Sequence, residues 1–233
     1  RGALLLPPGY DGGKRLPLVV FVYGGESGSQ FVNRFGLWGS TPTFNMHLFA
    51  TRGFAVLYPD APVKTGQTMT DVVRTVLPGV DAAIAQGYAD ADRLVVMGQS
   101  YGSYNTLSII TQTNRFKAAI VTAAVLHPDL FADYLRATGY YEHGQGNMGG
   151  TIWEQRDRYF ANSPLFHFDK IQTPLLIGQG ERDGDLVAAE AIFTALERLG
   201  GRVRRGQLSS APLASRRIGQ RARLVQGRRC CGA

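Results

Sequence analysis

Five short apolar segments, each bounded by turn residues, recur along the first 180 residues of the chain. They are continuous apolar runs rather than alternations of apolar and polar residues, which is typical of strands covered on both faces in a parallel sheet. Helical patterns lie between them, and strands that alternate with helices form an α/β fold with right-handed crossovers. We therefore predict a mostly parallel sheet flanked by helices. The predicted strands are residues 16–23, 53–59, 93–98, 116–123 and 173–178.

Two of the intervening segments have a clear helical period. Residues 70–87 place their valines near one face, although Pro78 is expected to kink or split this helix. Residues 185–200 form a second apolar stripe and end at Gly200, a residue type that commonly follows a helix.

A long segment, residues 124–172, separates the fourth and fifth predicted strands. It is rich in aromatic residues and contains the sequence GQGNMGG at residues 144–150. A connection of this length inside an α/β domain is usually functional, for example as a cap over a binding site. It can equally be a helical excursion whose aromatic side chains are core, and both interpretations stay open.

The charge of the chain is divided unevenly along its length. Residues 201–233 hold nine arginines and no acid, whereas residues 1–200 hold 16 Lys and Arg against 18 Asp and Glu, so the net charge of +7 comes from the C-terminal segment. That segment has no aromatic residue and cannot bury much apolar surface. We predict an α/β domain over residues 1–203 and a tail over residues 204–233 that is disordered or translated from a shifted reading frame.

Cysteine usage and the N-terminus give weaker indications. Both cysteines, Cys230 and Cys231, lie in the tail, so the body has no disulfide and no thiolate metal site. No apolar run approaches the ~20 residues that cross a membrane, and the N-terminal ALLL is too short for a signal peptide. The chain starts at Arg1, from which we expect a longer parent protein of unknown compartment, with the cytoplasm as the default.

Gly98-Gln99-Ser100-Tyr101-Gly102 fits the pattern G-x-S-x-G and lies between a predicted strand and a helix expected from about Tyr101 to Gln112. A sharp turn from strand into helix raises the serine hydroxyl above the sheet edge, and the small residues on either side avoid clashes. This context favours Ser100 as a catalytic nucleophile over a tight structural turn.

A serine nucleophile needs donors for the oxyanion that forms when it attacks a carbonyl. The backbone N–H of Tyr101, directly after the serine, is the first predicted donor. The second is expected from the loop after the first predicted strand, where Gly24 and Gly25 follow Tyr23. We predict that the Tyr23 phenol is this donor; the alternative is that Tyr23 is an ordinary aromatic residue at a strand end.

The acid that orients a catalytic base is expected after the fifth predicted strand, where the chain reads GERDGDLV. Asp183 is our prediction for this acid, with Asp185 and Glu181 as rivals. Asp185 is also well placed to cap the following helix, because carboxylates are favoured at a helix N-terminus.

With these motifs in order, the chain resembles the catalytic domain of the prolyl oligopeptidase family of serine peptidases, an α/β-hydrolase fold. The resemblance covers nearly all of residues 4–203, including MGGTIWE and NSPLFHFDKIQTPLLIGQGERD. It implies Ser100 as nucleophile, Asp183 as triad acid, and Tyr23 with the Tyr101 N–H as oxyanion donors. It also implies a short peptide substrate, a preceding propeller domain, and no metal or cofactor.

Specificity is then expected to depend on aromatic residues of the 124–172 segment, and we predict Tyr140, Tyr141 and Trp153 as substrate-binding residues. Glu26 departs from the family, which often has proline at that position. Neither oligomeric state nor a membrane or nucleic-acid partner is indicated.

The expected catalytic histidine is missing. In this fold the order along the chain is Ser, Asp, His, yet all four histidines (His47, His127, His143 and His167) precede Asp183. His127 follows the fourth predicted strand and is the candidate for a substitute base, although a solvent-facing or cap-packing role is favoured for it. Because the histidine loop and last strand of the family fall where the Arg-rich tail begins, we expect both to be lost and the activity of this chain to be impaired.

Two other functions stay open from the sequence. The same machinery serves carboxylic-ester hydrolases, because the fold does not determine the substrate. A non-catalytic protein that binds nucleic acid through its arginines is the alternative from another class. The tail, however, lacks the interleaved aromatic residues that stack on bases.

Overall fold

The computed structural model of the chain describes residues 1–30, 46–124, 127–180, 186–208 and 223–226. Its strands form one sheet in the order β1-β3-β2-β4-β5-β6-β7-β8, in which β2 to β7 run parallel and the two edge strands run antiparallel to their neighbours. The strands are β1 (Gly2–Leu5), β2 (Leu16–Phe21), β3 (Ala55–Pro59), β4 (Ala89–Gln99), β5 (Ala118–Thr122), β6 (Leu175–Gly180), β7 (Val203–Leu208) and β8 (Arg223–Gln226). The five predicted strands are β2 to β6, so the mostly parallel sheet is confirmed.

Helices occupy the connections between the parallel strands. They are α1 (His47–Ala50), α2 (Thr68–Ala85), α3 (Tyr101–Ile110), α4 (Leu130–Asp133), α5 (Thr138–Glu142), α6 (Arg156–Ala161) and α7 (Leu186–Arg198), with 3₁₀ turns at Tyr134–Arg136 and Pro164–Lys170. No helix of the described residues is long and apolar enough to cross a membrane.

The alternation of side chains along β2 distributes its residues between two hydrophobic clusters. Leu18 and Val20 join a large core with α2, α3 and α7, whereas Val19 and Phe21 join a smaller core with α1. All four side chains are buried. Continuous apolar strands are therefore required here, because successive side chains point to opposite faces and both faces are covered.

Pro78 is predicted to kink or split the helix of residues 70–87, and the structure shows that it does not split it. The helix α2 is 18 residues long, and Pro78 lies inside it. Proline removes the hydrogen bond to the carbonyl four residues earlier, that of Arg74. Both residues lie on the exposed side of the helix, where water can take the place of the lost donor.

Part of the C-terminal segment forms strands of the sheet, although the Arg-rich sequence carries no apolar strand pattern. β7 pairs parallel to β6, and β8 returns antiparallel to β7. The Arg205 guanidinium pairs with Glu190 of α7 at 3.2 Å and lies 5.9 Å from the centre of the Phe193 ring. Strand pairing uses backbone groups, so an arginine-rich sequence can extend an open sheet edge. The remainder of the tail lies outside the described residues.

The segment between β5 and β6 folds over α2 and α3 as short helices. Its buried aromatic residues form a third cluster with Met69 of α2 and with Tyr101 and Tyr104 of α3. We call this segment, residues 127–172, the cap. Four of its nine aromatic rings are buried core (Tyr134, Tyr141, Tyr159 and Phe168), which favours the second of the two sequence interpretations for those four residues.

Candidate active site

Ser100 lies at the turn between β4 and α3, at the carboxyl edge of the sheet. Its backbone has φ 56° and ψ −121°, a conformation that side chains other than that of glycine rarely adopt. Serine at the start of a helix usually caps it, yet the Ser100 hydroxyl makes no capping hydrogen bond to α3. The helix N-terminus therefore does not use this hydroxyl, and the strained turn presents it at the sheet edge.

The two glycines of the motif allow this turn to close. A Cβ atom at Gly98 would lie 2.1 Å from the carbonyl oxygen of Gly102, and one at Gly102 would lie 2.5 Å from the carbonyl oxygen of Val22. Both distances are far below van der Waals contact, and the opposing atoms belong to the backbone. The first glycine lets β4 approach α3, and the second lets α3 approach β2.

Hydrogen bonds from β5 hold the turn in place. The Ser100 N–H donates to the carbonyl of Thr122 at 3.0 Å. The Ser103 hydroxyl donates to the same carbonyl at 2.7 Å and accepts from the Thr122 N–H at 3.1 Å. Ala123, directly after β5, is a second strained residue at this edge, with φ 45°. Such residues cluster at functional sites.

The predicted oxyanion donor at Tyr101 is available by geometry. Tyr101 is the first residue of α3, so its N–H has no partner within the helix. Its ring is buried, and its hydroxyl donates to Thr68 at 3.3 Å. Burial raises the pKa of this phenol to about 12, so the ring is neutral and serves as packing while the backbone faces the turn.

The loop after β2 is attached to the same helix. The Gly24 N–H donates to the side-chain oxygen of Asn105 at 2.7 Å, and the Gly25 N–H donates to the carbonyl of Ala61 at 2.7 Å. Asn105 is fully buried on α3, one turn after Tyr101. Asn105 is a functional candidate that was not predicted from the sequence. Its only indication there is that an amide side chain stands four positions after Tyr101.

The structure brings Tyr23 next to the turn. Its half-buried ring lies 6.0 Å from that of Tyr101, measured between ring centres. The Tyr23 oxygen accepts a hydrogen bond from the side chain of Gln145 in the cap at 3.2 Å. Tyr23 and the Tyr101 N–H thus lie at one edge of the sheet, as the oxyanion prediction requires.

An open cleft of about 320 Å³ lies between this loop and the cap. Gly24, Gly25 and Glu26 line one side of it, and Gly144, Gln145 and Asn147 line the other. Val63 also lines this cleft, and Gln145, which donates a hydrogen bond to Tyr23, belongs to its lining.

The three predicted substrate-binding residues have different environments. Tyr141 is fully buried and its hydroxyl donates to Asp133 at 2.6 Å, so the prediction for Tyr141 is corrected: it supports the cap from inside. Tyr140 is half-buried and donates to Gln145 at 3.0 Å. Trp153 is 68% exposed and packs edge-on against Tyr134. Tyr140 and Trp153 stay candidates for substrate contact.

The predicted triad acid Asp183, and its rivals Glu181 and Asp185, lie outside the described residues. The segment that carries them leaves β6 at Gly180. Thr122 of β5 pairs with Gly178 of β6, so this exit lies on the same edge of the sheet as the Ser100 turn.

The four histidines lie in different parts of the structure, and all precede β6 in the chain. His127, the candidate substitute base, uses its Nδ1 atom in a 3.1 Å contact with the backbone N–H of Asp129. His143 is exposed and lies 3.8 Å from the Glu142 carboxylate. His167 is in the 3₁₀ turn before β6, where burial and the nearby Lys170 lower its pKa. His47 belongs to α1. Among the described residues, no group of three or more His, Cys, Asp or Glu side chains could hold a metal ion.

Comparison with known proteins decides the family. The model of the prolyl oligopeptidase family, Peptidase_S9, matches residues 40–207. The chain belongs to the prolyl oligopeptidase family. Its relatives in this family are serine peptidases, and the resemblance inferred from the sequence is confirmed.

Individual members of the prolyl oligopeptidase family agree with this assignment. The uncharacterized peptidase YuxL of Bacillus subtilis is 30% identical over 213 residues, which cover 85% of this chain and 31% of that protein. Dipeptidyl-peptidase 5 of Porphyromonas gingivalis is 26% identical over 205 residues, 81% of this chain and 29% of that protein. The chain thus spans less than a third of either relative.

The fold is similar to that of a solved peptidase structure. The acylaminoacyl peptidase of Pyrococcus horikoshii superposes with a TM-score of 0.69 at 22% identity, over 89% of this chain and 34% of that one. This likeness confirms the predicted α/β-hydrolase fold.

The close approach at Gly98 generates a test of the turn. Gly98→Ala is expected to lower the free energy of unfolding by about 3 kcal/mol, because the new methyl group would overlap the Gly102 carbonyl. Urea unfolding measures this change. The matched control is Gly139→Ala in α5, where nothing lies within 4 Å of the added Cβ and the change is expected to be neutral or stabilising. Equal stability of the two variants would contradict the geometry of the turn.

Proposed function

We propose that this chain is the catalytic domain of a serine peptidase that cleaves short peptides through an acyl-enzyme on Ser100. The observation that carries the proposal is the strained Ser100 backbone, which places at the sheet edge a hydroxyl that the helix does not use for capping. Membership of a family of serine peptidases supports the same reaction. The backbone conformation of Ser100 is energetically unfavourable for any residue with a Cβ atom. Glycine would be favoured at this position if the turn were only structural, so the serine side chain needs another explanation.

In the proposed reaction the Ser100 oxygen attacks the carbonyl carbon of the substrate, and its proton leaves for a base. The negative charge that develops on the carbonyl oxygen is stabilised by the Tyr101 N–H and the Tyr23 hydroxyl. The amine product departs with a proton, which leaves an ester between the acyl group and Ser100. Water then attacks this ester, and the Ser100 hydroxyl is restored. Asp183 is proposed to orient the base.

No catalytic base has been identified in this chain. The sequence contains no histidine after Asp183. Without a base the Ser100 hydroxyl stays protonated near neutral pH, and loss of a triad member costs about 10⁴-fold or more in rate. We therefore propose slow acylation by this chain, with the remaining acceleration due to the oxyanion donors and to substrate binding.

The missing histidine favours ester substrates over peptides for this particular chain. A histidine in this fold also donates a proton to the leaving amine, because an amine anion is a very poor leaving group. An activated ester releases a phenolate, which needs no proton to depart. The second candidate function is therefore carboxylic-ester hydrolysis by the same Ser100 and the same donors. Matched peptide and p-nitrophenyl ester panels separate the two.

We also propose that the tail from about residue 204 derives from a shifted reading frame. Its abrupt loss of acids and aromatic residues supports this, and the match to the family model ends at residue 207. Strands β7 and β8 do not contradict the proposal, because edge pairing depends on the backbone rather than on particular side chains.

The coding sequence tests the origin of the tail. One of the other two reading frames, translated from codon 203 onward, is expected to encode a strand followed by a loop with glycine and histidine. The control is the same translation upstream of codon 203, where neither alternative frame should continue the family pattern. Stop codons or unrelated sequence in both downstream frames would refute the shift.

Labelling with a fluorophosphonate probe tests the nucleophile. We expect slow labelling of the chain and none of Ser100→Ala, because the probe reacts only with an activated serine. Added imidazole should supply the missing base from solution and raise the labelling rate about tenfold or more in the unmodified chain. Equal labelling of both proteins would show that Ser100 is not the nucleophile, and a rate unaltered by imidazole would contradict the proposal that a missing base limits acylation.

A further inference from the structure

Gln145 connects the cap to the predicted oxyanion donor. It lies in the loop between α5 and α6, and its side-chain amide contacts two tyrosines. The Tyr140 hydroxyl donates to its oxygen at 3.0 Å, and its nitrogen donates to the Tyr23 oxygen at 3.2 Å. Gln145 is separated from Tyr23 by 122 positions in the chain, so this contact exists only because the cap folds over the sheet edge.

The backbone presents Gln145 in a defined position although the residue is exposed. The flanking glycines pack directly against α5: a Cβ at Gly144 would lie 2.9 Å from the Cα of Tyr140, and one at Gly146 would lie 2.8 Å from the Cα of Tyr141. The Gly144 and Gly146 N–H groups donate to the carbonyls of Gly139 and Tyr140 at 2.9 and 3.0 Å. This explains the first two glycines of the GQGNMGG sequence: they let the loop wrap tightly around the end of α5.

Helix α5 is itself anchored in the cap. The Tyr141 hydroxyl donates to Asp133, and the Tyr134 hydroxyl donates to Glu142, so two phenol–carboxylate pairs join α5 to the preceding turn. The Met148 N–H donates to the Tyr141 carbonyl at 2.8 Å and closes the loop on its far side. The position of the Gln145 amide is therefore determined by the buried part of the cap.

The direction of these hydrogen bonds matters for the chemistry. Burial raises the pKa of the Tyr140 phenol, with further contributions from Tyr101 and Tyr23, so Tyr140 is a neutral donor at physiological pH. Its proton occupies the Gln145 oxygen, which leaves the amide nitrogen to face Tyr23. An amide N–H can only donate, so Tyr23 accepts with its oxygen and does not use its own proton in this bond. Hydrogen bonds in such a chain polarise one another.

We propose that Gln145 is a positioning residue, which orients the Tyr23 hydroxyl so that its proton is directed to the oxyanion formed at Ser100. The inference rests on the proposed function, because Tyr23 has a role as donor only if Ser100 is acylated. It adds to that function a link between the cap and the oxyanion site. A substrate that moves the cap would thereby also move the oxyanion donor.

Three variants test the proposal. Gln145→Glu keeps an acceptor for Tyr140 but turns the donor to Tyr23 into an acceptor, which would draw the Tyr23 proton away from the oxyanion. Gln145→Met keeps the shape of the side chain and removes both hydrogen bonds without adding charge. Gln155→Glu is the matched control, since it places the same negative charge on the same cap away from Tyr23. Each is made with Tyr23 intact and in the Tyr23→Phe background.

The readout is fluorophosphonate labelling of the full chain with imidazole present, resolved into the maximal rate of inactivation and the probe concentration at half-maximal rate. We expect Gln145→Glu to lower the maximal rate about tenfold, part of the effect of losing an oxyanion donor. Gln145→Met should lower it less, and Gln155→Glu should lower it less than twofold. In the Tyr23→Phe background the two Gln145 variants should have no further effect, because Gln145 acts through the missing hydroxyl.

The outcomes separate failure of the inference from failure of the proposed function. Equal rates for Gln145→Glu and Gln155→Glu would overturn the inference while leaving Ser100 as nucleophile. A loss of the same size in the Tyr23→Phe background would also overturn it, since Gln145 would then act by another route. No labelling of the unmodified chain would refute the proposed function, and the inference with it.

Discussion

The backbone of Ser100 is the constraint on which the rest of this site depends. A residue with a Cβ atom at φ 56° and ψ −121° is unfavourable by about 1–3 kcal/mol, so its neighbours must hold it there. Gly98 and Gly102 permit the approach of β4, α3 and β2, and the Thr122 carbonyl accepts from the Ser100 N–H. The surrounding sheet is rigid enough to maintain this turn because both of its faces are covered by helices.

The same packing brings the proposed oxyanion donors close to the turn. Asn105 ties the loop after β2 to the helix that follows Ser100, and Gln145 ties Tyr23 to the cap. Tyr101 takes part twice, with its backbone at the turn and its buried ring in the aromatic cluster of the cap. Ser100, the Tyr101 N–H, Tyr23 and the cap are therefore connected through hydrogen bonds and ring contacts, and these residues are the ones proposed as nucleophile and oxyanion donors.

Local signals explain what the sequence could predict. The five central strands are continuous apolar runs. The G-x-S-x-G turn is defined by five consecutive residues, and small residues are needed there to avoid steric clashes around the turn. Asn105 and Gln145 could not be predicted, because their partners lie 81 and 122 positions away and only the folded chain brings them together. Tyr141 and Trp153 show the same limit: both are cap aromatics, and tertiary packing alone decides that one is buried and the other exposed. The strand β7 was missed because pairing to β6 needs no apolar side-chain pattern.

The central claim is that Ser100 is held in a strained conformation for the sake of its hydroxyl, and the stability of two variants measures it most directly. Ser100→Ala keeps the Cβ atom and therefore the strain, so its free energy of unfolding should match that of the unmodified chain. Ser100→Gly removes a strain of about 1–3 kcal/mol but adds about 0.5–1 kcal/mol of chain entropy to the unfolded state, so it should be more stable than Ser100→Ala by up to about 2 kcal/mol in urea unfolding. If Ser100→Gly is instead less stable than Ser100→Ala, the turn is not strained and the account is wrong.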